Sequence, residues 1–173
     1  MEHETCDACG FDGAEYDDDA LLAQLRALGP VWRGALDDAG AELRVRPAPG
    51  VWSAIEYAAH SRDVTLLHGF GVEQALTQDE PVLPAVDPGL ADAAAGSYGT
   101  EDAAAVVAAL GAAAHRLAAQ AEDAGTDTWA RGITLGDEHV EVRRMLEHAL
   151  HDSTHHLDDV ARGLAQLRAA SKD

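Results

Sequence analysis

Apolar residues in the last third of the chain recur at intervals of three and four positions, the spacing of one face of an α-helix. They are Val142, Met145, Leu146, Ala149, Leu150, Leu157, Val160, Leu164 and Leu167. A stripe of this length has to be covered by other elements, because one helix cannot bury its own apolar face. The spacing therefore predicts a helix from about Glu138 to Ala169 and a fold built by helix packing.

Three further segments have the same helical character. The first runs from about 17 to 40 and begins with three aspartates, which favour a helix N-terminus. The second runs from 53 to 76, where Ser53 and Glu56 have the spacing of a capping box. The third is the alanine-rich segment from 101 to 124. No series of strands and no internal repeat is evident, so four helices of bundle length are the simplest architecture.

The segments between these helices predict how the bundle is connected. The sequence RPAPG at 46–50 cannot continue a helix and serves as a connector. The proline- and glycine-rich segment 78–100 is long enough to cross between helices that are not antiparallel neighbours. The segment 125–137 has a turn-like composition. We predict an all-α four-helix bundle over 17–173, with a long crossover connection, preceded by an irregular N-terminal arm over 1–16.

Charge and length exclude several classes of protein. The 173 residues and 18.2 kDa correspond to one domain. A net charge of −19 leaves no basic surface with which to displace counterions from phosphates, so nucleic acid is not expected as a partner. No apolar run predicts a membrane span, and the N-terminus lacks the pattern of a signal peptide. We expect a cytoplasmic protein without a membrane partner.

The stretch HALHDSTHHLDD, which begins at His148, places four histidines and three aspartates in the last helix. His151 and His155 stand four residues apart, so their imidazoles project from one face and can bind the same metal ion. His148 can pair with His151 but lies about 10 Å along the axis from His155. His156 points about 100° away and is better placed to pair with Asp152. The alternative is a solvated histidine-rich surface without metal.

A third ligand would strengthen the prediction of a metal site, and His60 in the second helix is the best candidate. Three imidazoles from two helices leave a coordination position for water or substrate. Glu56, four residues earlier, could support His60. It is also the acid of the capping box, in which case His60 is an ordinary core histidine. The aspartates of the last helix could orient ligand rings, although most acids on so acidic a chain are solvated surface.

The N-terminal arm contains both cysteines of the chain, in the spacing His3-x-x-Cys6-x-x-Cys9. In a reducing compartment a C-x-x-C pair favours metal binding or redox chemistry over a structural disulfide. The arm offers no fourth donor of its own, which makes it an incomplete zinc site. Since it is too poor in apolar residues to fold alone, we expect it to dock on the bundle.

Two motifs, VWSAIEYAAH in the second helix and LEHALHDSTHHLDDVARGL in the fourth, resemble the DinB/YfiT-like superfamily. This superfamily includes mycothiol-dependent maleylpyruvate isomerases and bacillithiol transferases, and the resemblance extends from about 18 to 168. It implies a four-helix bundle with a divalent metal, usually zinc or nickel, held by a histidine triad. The corresponding residues here are His60, His151 and His155. The C-x-x-C arm is not part of the general pattern of the superfamily.

The resemblance also implies a chemistry. Many members use a metal to deprotonate a low-molecular-weight thiol, which then attacks an electrophile. We therefore predict a thiol S-transferase or thiol-dependent isomerase, with mycothiol as cosubstrate and a small electrophile as substrate. Whether the protein forms a homodimer is left open. The alternative is a non-catalytic metal-binding or stress-response bundle. A helical bundle without metal is the third interpretation.

Overall fold

The computed structural model of the chain describes residues 3–85 and 94–172, and most of these residues lie in four long helices. The helices are α1 (Asp18–Ala39), α2 (Ala54–Thr77), α3 (Ala103–Ala124) and α4 (Val142–Ala170). The predicted four-helix bundle is therefore confirmed. Residues 86–93, in the middle of the predicted crossover, lie outside the described residues.

The predicted helix starts follow from their capping residues. The Asp17 side chain accepts a hydrogen bond of 2.7 Å from the backbone N–H of Ala20 at the start of α1. At the start of α2, Glu56 accepts hydrogen bonds from the backbone N–H and the hydroxyl of Ser53, at 2.9 and 2.6 Å. The capping box is thus confirmed. Each such cap satisfies amides that a helix N-terminus leaves unpaired and is worth about 1 kcal/mol.

Helices α1 and α4 run parallel. Arg143 at the start of α4 bonds Asp18 at the start of α1, at 2.7 Å. Arg168 at the end of α4 bonds Asp38 at the end of α1, at 3.1 Å. In the middle, the indole N–H of Trp32 donates to the hydroxyl of Ser153 on α4.

Helices α2 and α3 also run parallel to each other. Arg62 in the first half of α2 pairs with Glu101 just before α3, and Glu73 near the end of α2 shares a groove with Gln120 near the end of α3. Two parallel neighbours cannot be joined by a tight turn, which explains the long crossover. Helix α2 is antiparallel to α4, since His60 lies near Asp152 while His68, two turns later in α2, stacks on His148, one turn earlier in α4.

A small sheet, which the sequence did not predict, covers one end of the α2–α4 groove. Strands β4 (Gly132–Leu135) and β5 (Glu138–Glu141) form a hairpin, and β3 (Val82–Leu83) pairs parallel to β4. The hairpin turns at Gly136, whose φ of 61° suits the first position of a two-residue loop. Because β5 uses residues 138–141, α4 begins at Val142 and not near Glu138 as predicted.

The N-terminal arm, predicted to be irregular, contains a second, smaller hairpin of two-residue strands. Strands β1 (Thr5–Cys6) and β2 (Phe11–Asp12) pair antiparallel. The arm is held on α4 by Glu147, whose side chain is fully buried and accepts hydrogen bonds from the backbone N–H of Glu4 and from His3 Nδ1, at 2.8 and 2.7 Å. The expected docking of the arm on the bundle is therefore present.

By length and mean hydropathy alone, α3 is the one helix in the described part of the chain that could cross a membrane. The core helix of a globular bundle passes the same test. Leu110 and Leu117 of α3 are fully buried within this core. Packing between α1 and α2 accounts for the apolar character of α3 without a membrane.

Helices α1 and α3 come together at a glycine pair. A Cβ atom added to Gly29 would lie 2.9 Å from the Cα of Gly111, closer than two such carbons can approach. Gly34, further along α1, has nothing within 4 Å of a Cβ placed there. The contact at Gly29 is therefore between backbones, and a flexible side chain cannot relieve a clash there.

We predict that Gly29→Ala lowers the free energy of unfolding, because the added methyl group forces α1 and α3 apart. The overpacking cost of about 1–3 kcal/mol exceeds the gain of about 0.5–1 kcal/mol from removing a helical glycine. Gly34→Ala, the matched control, should be neutral or stabilising by that smaller amount. Urea unfolding followed by circular dichroism measures both. Equal stabilities of the two variants would contradict the backbone contact.

Candidate metal centre

Three potential metal ligands converge in the groove between α2 and α4. The Nε2 atoms of His60 and His156 lie 3.4 and 3.5 Å from the same oxygen, Oδ1 of Asp152. The donor atoms of the three residues all lie within 4.8 Å of one another. His60 is contributed by α2, while Asp152 and His156 occupy one row of α4, four residues apart. The predicted pairing of His156 with Asp152 is confirmed.

The hydrogen bonds around this group leave donor atoms free. His156 Nδ1 lies 2.8 Å from Oδ2 of Asp159, which places the ring proton on Nδ1 and leaves the lone pair on Nε2. Oδ2 of Asp152 is buried and has no hydrogen-bond partner. An unpartnered buried carboxylate oxygen is costly unless a cation satisfies it. Asp159, one of the aspartates expected to orient ligand rings, orients the ring of His156.

Charge in the group is arranged to favour a cation. Burial disfavours the charged form of Asp152, but His156 and His60 outweigh this effect and hold its pKa well below the usual range. Burial also opposes protonation of His156, and Asp152 together with Asp159 more than compensates, so its pKa is raised. Asp152 and Asp159 thus stabilise a positive charge at His156. A divalent ion bound beside the ring can supply that charge in place of a proton.

The group is accessible from solvent on one side. The side chains of His60 and His156 are 24% and 19% exposed. Trp52 packs on His60 with ring centroids 5.2 Å apart, and Tyr57 packs on His156 at 4.9 Å. These aromatic rings fix the imidazole orientations while leaving an open face. Three donors with an open face are typical of a reactive metal site.

The structure does not bring His60 into the group that contains His151 and His155. These two residues face the arm, where their donor atoms and the thiols of Cys6 and Cys9 lie within 4.8 Å of one another. The physical reason is the helix itself, since neighbouring residues of α4 differ by 100° in direction. His151 and His155 form one row, and the row that contains Asp152 faces α2.

Glu56 does not act as a partner of His60. It accepts hydrogen bonds from Ser53 and from Arg46, whose Nε lies 3.0 Å from Oε2. Burial works against the charged carboxylate, but the hydrogen bonds from Arg46 and Ser53 prevail and lower its pKa to about 2. The capping box therefore occupies Glu56, while His60 faces Asp152 instead. Glu56 therefore sets the start of the helix that carries His60.

A third group of potential ligands includes a residue that the sequence analysis missed. Glu4 lies 2.9 Å from His151 Nδ1, 3.4 Å from His148 Nδ1 and 2.7 Å from Arg144. No spacing rule could have found Glu4, because it is at least 140 residues from each of these partners in the chain. His148 also stacks on His68, with ring centroids 5.0 Å apart.

A cavity of about 1120 Å³ lies between α2, the β4–β5 hairpin and α4. Its lining is mainly apolar, and the polar residues that reach it include His68, Arg144 and His148. None of His60, Asp152 and His156 lines it. The cavity nevertheless begins one helical turn from them, because Val64 and His148 in its wall are four residues from His60 and Asp152. Cavity and donor group are neighbouring parts of one groove.

Comparison with known proteins identifies the same fold. A family model described as the DinB superfamily matches residues 19–160. The solved structure of YfiT from Bacillus subtilis, described as a probable metal-dependent hydrolase with an unusual four-helix bundle topology, has a TM-score of 0.75, 18% identity and 87% coverage of each chain. The mycothiol-dependent maleylpyruvate isomerase has a TM-score of 0.67 and 16% identity, covering 86% of this chain and 62% of that chain. The comparison with curated proteins gives no match.

We predict that Glu56→Gln destabilises the protein in a pH-dependent way. The folded-state pKa of Glu56 is lowered from 4.5 to about 2, so its ionised form stabilises the fold at every pH above 4.5. This contribution, about 1–3 kcal/mol, disappears as the pH falls from 4.5 through 2. Denaturant unfolding at several pH values measures the difference between the variant and the unmodified protein.

The matched control is Glu73→Gln, which removes an exposed carboxylate from the same helix. Its effect on the free energy of unfolding should be small at every pH. A Glu56→Gln difference that stays constant between pH 6 and pH 2.5 would contradict the assigned role of the carboxylate.

Proposed function

Because the chain belongs to the DinB superfamily, we propose that it is a metal-dependent enzyme that transfers a small thiol to an electrophile or uses that thiol to isomerise a substrate. The observation that carries this proposal is the convergence of His60, Asp152 and His156 in the α2–α4 groove, next to a large apolar cavity. We propose that these three residues hold one divalent ion.

The donor set fits zinc or nickel. Two imidazole nitrogens and one carboxylate oxygen are ligands that both ions accept, and three protein ligands leave a position for another molecule. The buried Oδ2 of Asp152, which lacks a hydrogen-bond partner, supports the same assignment. When bound, the ion would favour a thiolate over a thiol and so supply a nucleophile at neutral pH.

The residues of the chain have separate tasks in this proposal. Asp159 accepts a hydrogen bond from Nδ1 of His156. This contact keeps the Nε2 lone pair of His156 directed towards Asp152. Trp52 and Tyr57 restrict the two imidazole rings and exclude water from part of the groove. The apolar wall of the neighbouring cavity, which includes Phe70 and Met145, suits the carbon skeleton of a small electrophile.

Two solved structures with the same fold support the chemical class. One is described as a probable metal-dependent hydrolase and the other as a mycothiol-dependent isomerase. A thiol cosubstrate of the mycothiol type remains part of the proposal. So does a cytoplasmic location, where unpaired thiols such as Cys6 and Cys9 stay reduced.

The histidine triad of His60, His151 and His155 stays a prediction and is a competing ligand set for the same ion. The set with Asp152 and His156 is favoured because its members already approach one another in the structure. The two sets make opposite predictions for His156, which only one of them includes.

We predict that His60→Ala and His156→Ala each lose one equivalent of divalent metal, and that the double variant loses no more than either single variant. Metal content is measured on purified, zinc-loaded protein by elemental analysis. His115→Ala, an exposed histidine on α3, is the control and should retain the full content. If His156→Ala keeps its metal while His60→Ala and His151→Ala lose the same equivalent, the three-histidine set is the correct one.

The activity itself is tested by thiol consumption with a panel of small electrophiles, maleylpyruvate among them. The zinc-loaded protein should accelerate the loss of thiol, and Asp152→Asn should reduce kcat/KM by at least about 100-fold, because a ligand matters more than its supporting residues. Metal bound at this site without any thiol-dependent turnover would favour the non-catalytic metal-binding bundle. Turnover that does not require a thiol would favour a hydrolase.

A further inference from the structure

Besides the site proposed for catalysis, we infer that Cys6, Cys9, His151 and His155 form a second metal site, a closed zinc site that fastens the N-terminal arm to α4. The four donor atoms lie within 4.8 Å of one another. Two come from the arm hairpin and two from α4. Two thiolates and two imidazoles are a common ligand set of structural zinc.

The distance between ligands agrees with tetrahedral coordination. Sγ of Cys6 lies 3.7 Å from Nδ1 of His155. With zinc bonds of about 2.3 Å to sulfur and 2.0–2.1 Å to nitrogen, the sulfur–nitrogen edge of a tetrahedron is about 3.6 Å. The two side chains are therefore already separated as a shared zinc ion requires. A sulfur and a nitrogen at this distance without an ion make only a weak hydrogen bond.

His151 has one nitrogen available for metal and no other use for it. Its Nδ1 lies 2.9 Å from Oε1 of Glu4, so the carboxylate fixes the ring proton on Nδ1. Its Nε2 is buried and has no hydrogen-bond partner. The ring is held in place by stacking on Phe11, with centroids 5.0 Å apart. A carboxylate behind a histidine is the usual support of a metal-binding imidazole.

His155 lies near a second carboxylate, which is too far away for a hydrogen bond. Its Nδ1 faces Cys6, and its Nε2 lies 3.8 Å from Oδ2 of Asp159. The same carboxylate oxygen lies 2.8 Å from His156 Nδ1. Asp159 therefore hydrogen-bonds a histidine of the first site and places a negative charge near a histidine of the second, without being a ligand in either.

The local backbone of the arm suits a thiolate pair. Gly10, directly after Cys9, has a φ of 76°, and its N–H donates to the carbonyl of Cys6 at 2.8 Å. This tight turn keeps the sulfurs of Cys6 and Cys9 within 4.8 Å of each other. Two thiolates neutralise a divalent ion, so a closed site of this composition carries no net charge from its ligands and metal.

Zinc binding would add to the contacts that hold an arm with few apolar residues. Phe11 is buried, and Glu147 accepts hydrogen bonds from the arm. Glu4 pairs with Arg144 and His151 of α4. Metal binding to the native state alone adds its free energy to folding. The two cysteines are not joined in a disulfide in this structure, so their sulfurs remain available for metal.

Zinc stoichiometry and thiol accessibility in the full-length protein test this inference. The zinc-loaded protein should contain two equivalents, and Cys6→Ser should contain one, which is then lost on further substitution His156→Ala. The control is His148→Ala, which removes a neighbouring imidazole outside the four-residue group and should keep two equivalents. An unchanged zinc content in Cys6→Ser would overturn the site.

Two measurements on the unmodified protein avoid any dependence on variants that fail to fold. Cobalt loading should give the near-ultraviolet charge-transfer absorption of a cobalt–thiolate bond, and alkylation of Cys6 and Cys9 should be slow until a chelator is added. Absence of the absorption, or equal alkylation rates with and without zinc, would overturn the inference. The catalytic proposal is judged separately, because its ion has no sulfur ligand and depends on His156.

Discussion

The buried apolar side of α4 decides where every other side chain of that helix can point. Val142, Leu146, Ala149 and Leu150 are almost fully removed from solvent, and burial of each large apolar side chain is worth about 1.5–3 kcal/mol. Burial of this face fixes the rotation of α4 about its axis. The direction of every other line of side chains along the helix is then also fixed. The rows that contain the histidines are therefore positioned by packing energy that has nothing to do with metal.

Two adjacent rows of α4 face different partners. One row contains Asp152 and His156 and looks across to His60 on α2. The next row begins with Glu147, continues through His151 and His155 and looks towards the arm. A step of one residue changes direction by 100°, so a single dense histidine motif can serve two separate groups.

Several carboxylates of this acidic chain accept hydrogen bonds from imidazole rings. Glu4 holds His151, Glu147 holds His3, and Asp159 holds His156. Each pairing consumes one ring nitrogen and leaves the other for a different contact. Part of the chain's net charge of −19 is thus held against imidazoles, while other acids, such as Glu56 and Asp18, pair with arginines.

Three local features were readable from the sequence alone. The periodic apolar residues predicted the helices, and the capping box at Ser53 predicted the start of α2. The four-residue spacing predicted the contact between Asp152 and His156, although not as metal ligands. These features depend on neighbours a few residues apart, where helical geometry is fixed. The Gly136 hairpin was also a local signal, but its strands are short and alternate weakly. Only the tertiary structure decided that His60 joins Asp152 and His156 while Cys6 and Cys9 join His151 and His155. The rotation of α4 and the docking of a hairpin nearly 150 residues away depend on the packing of the whole chain, which no local spacing encodes.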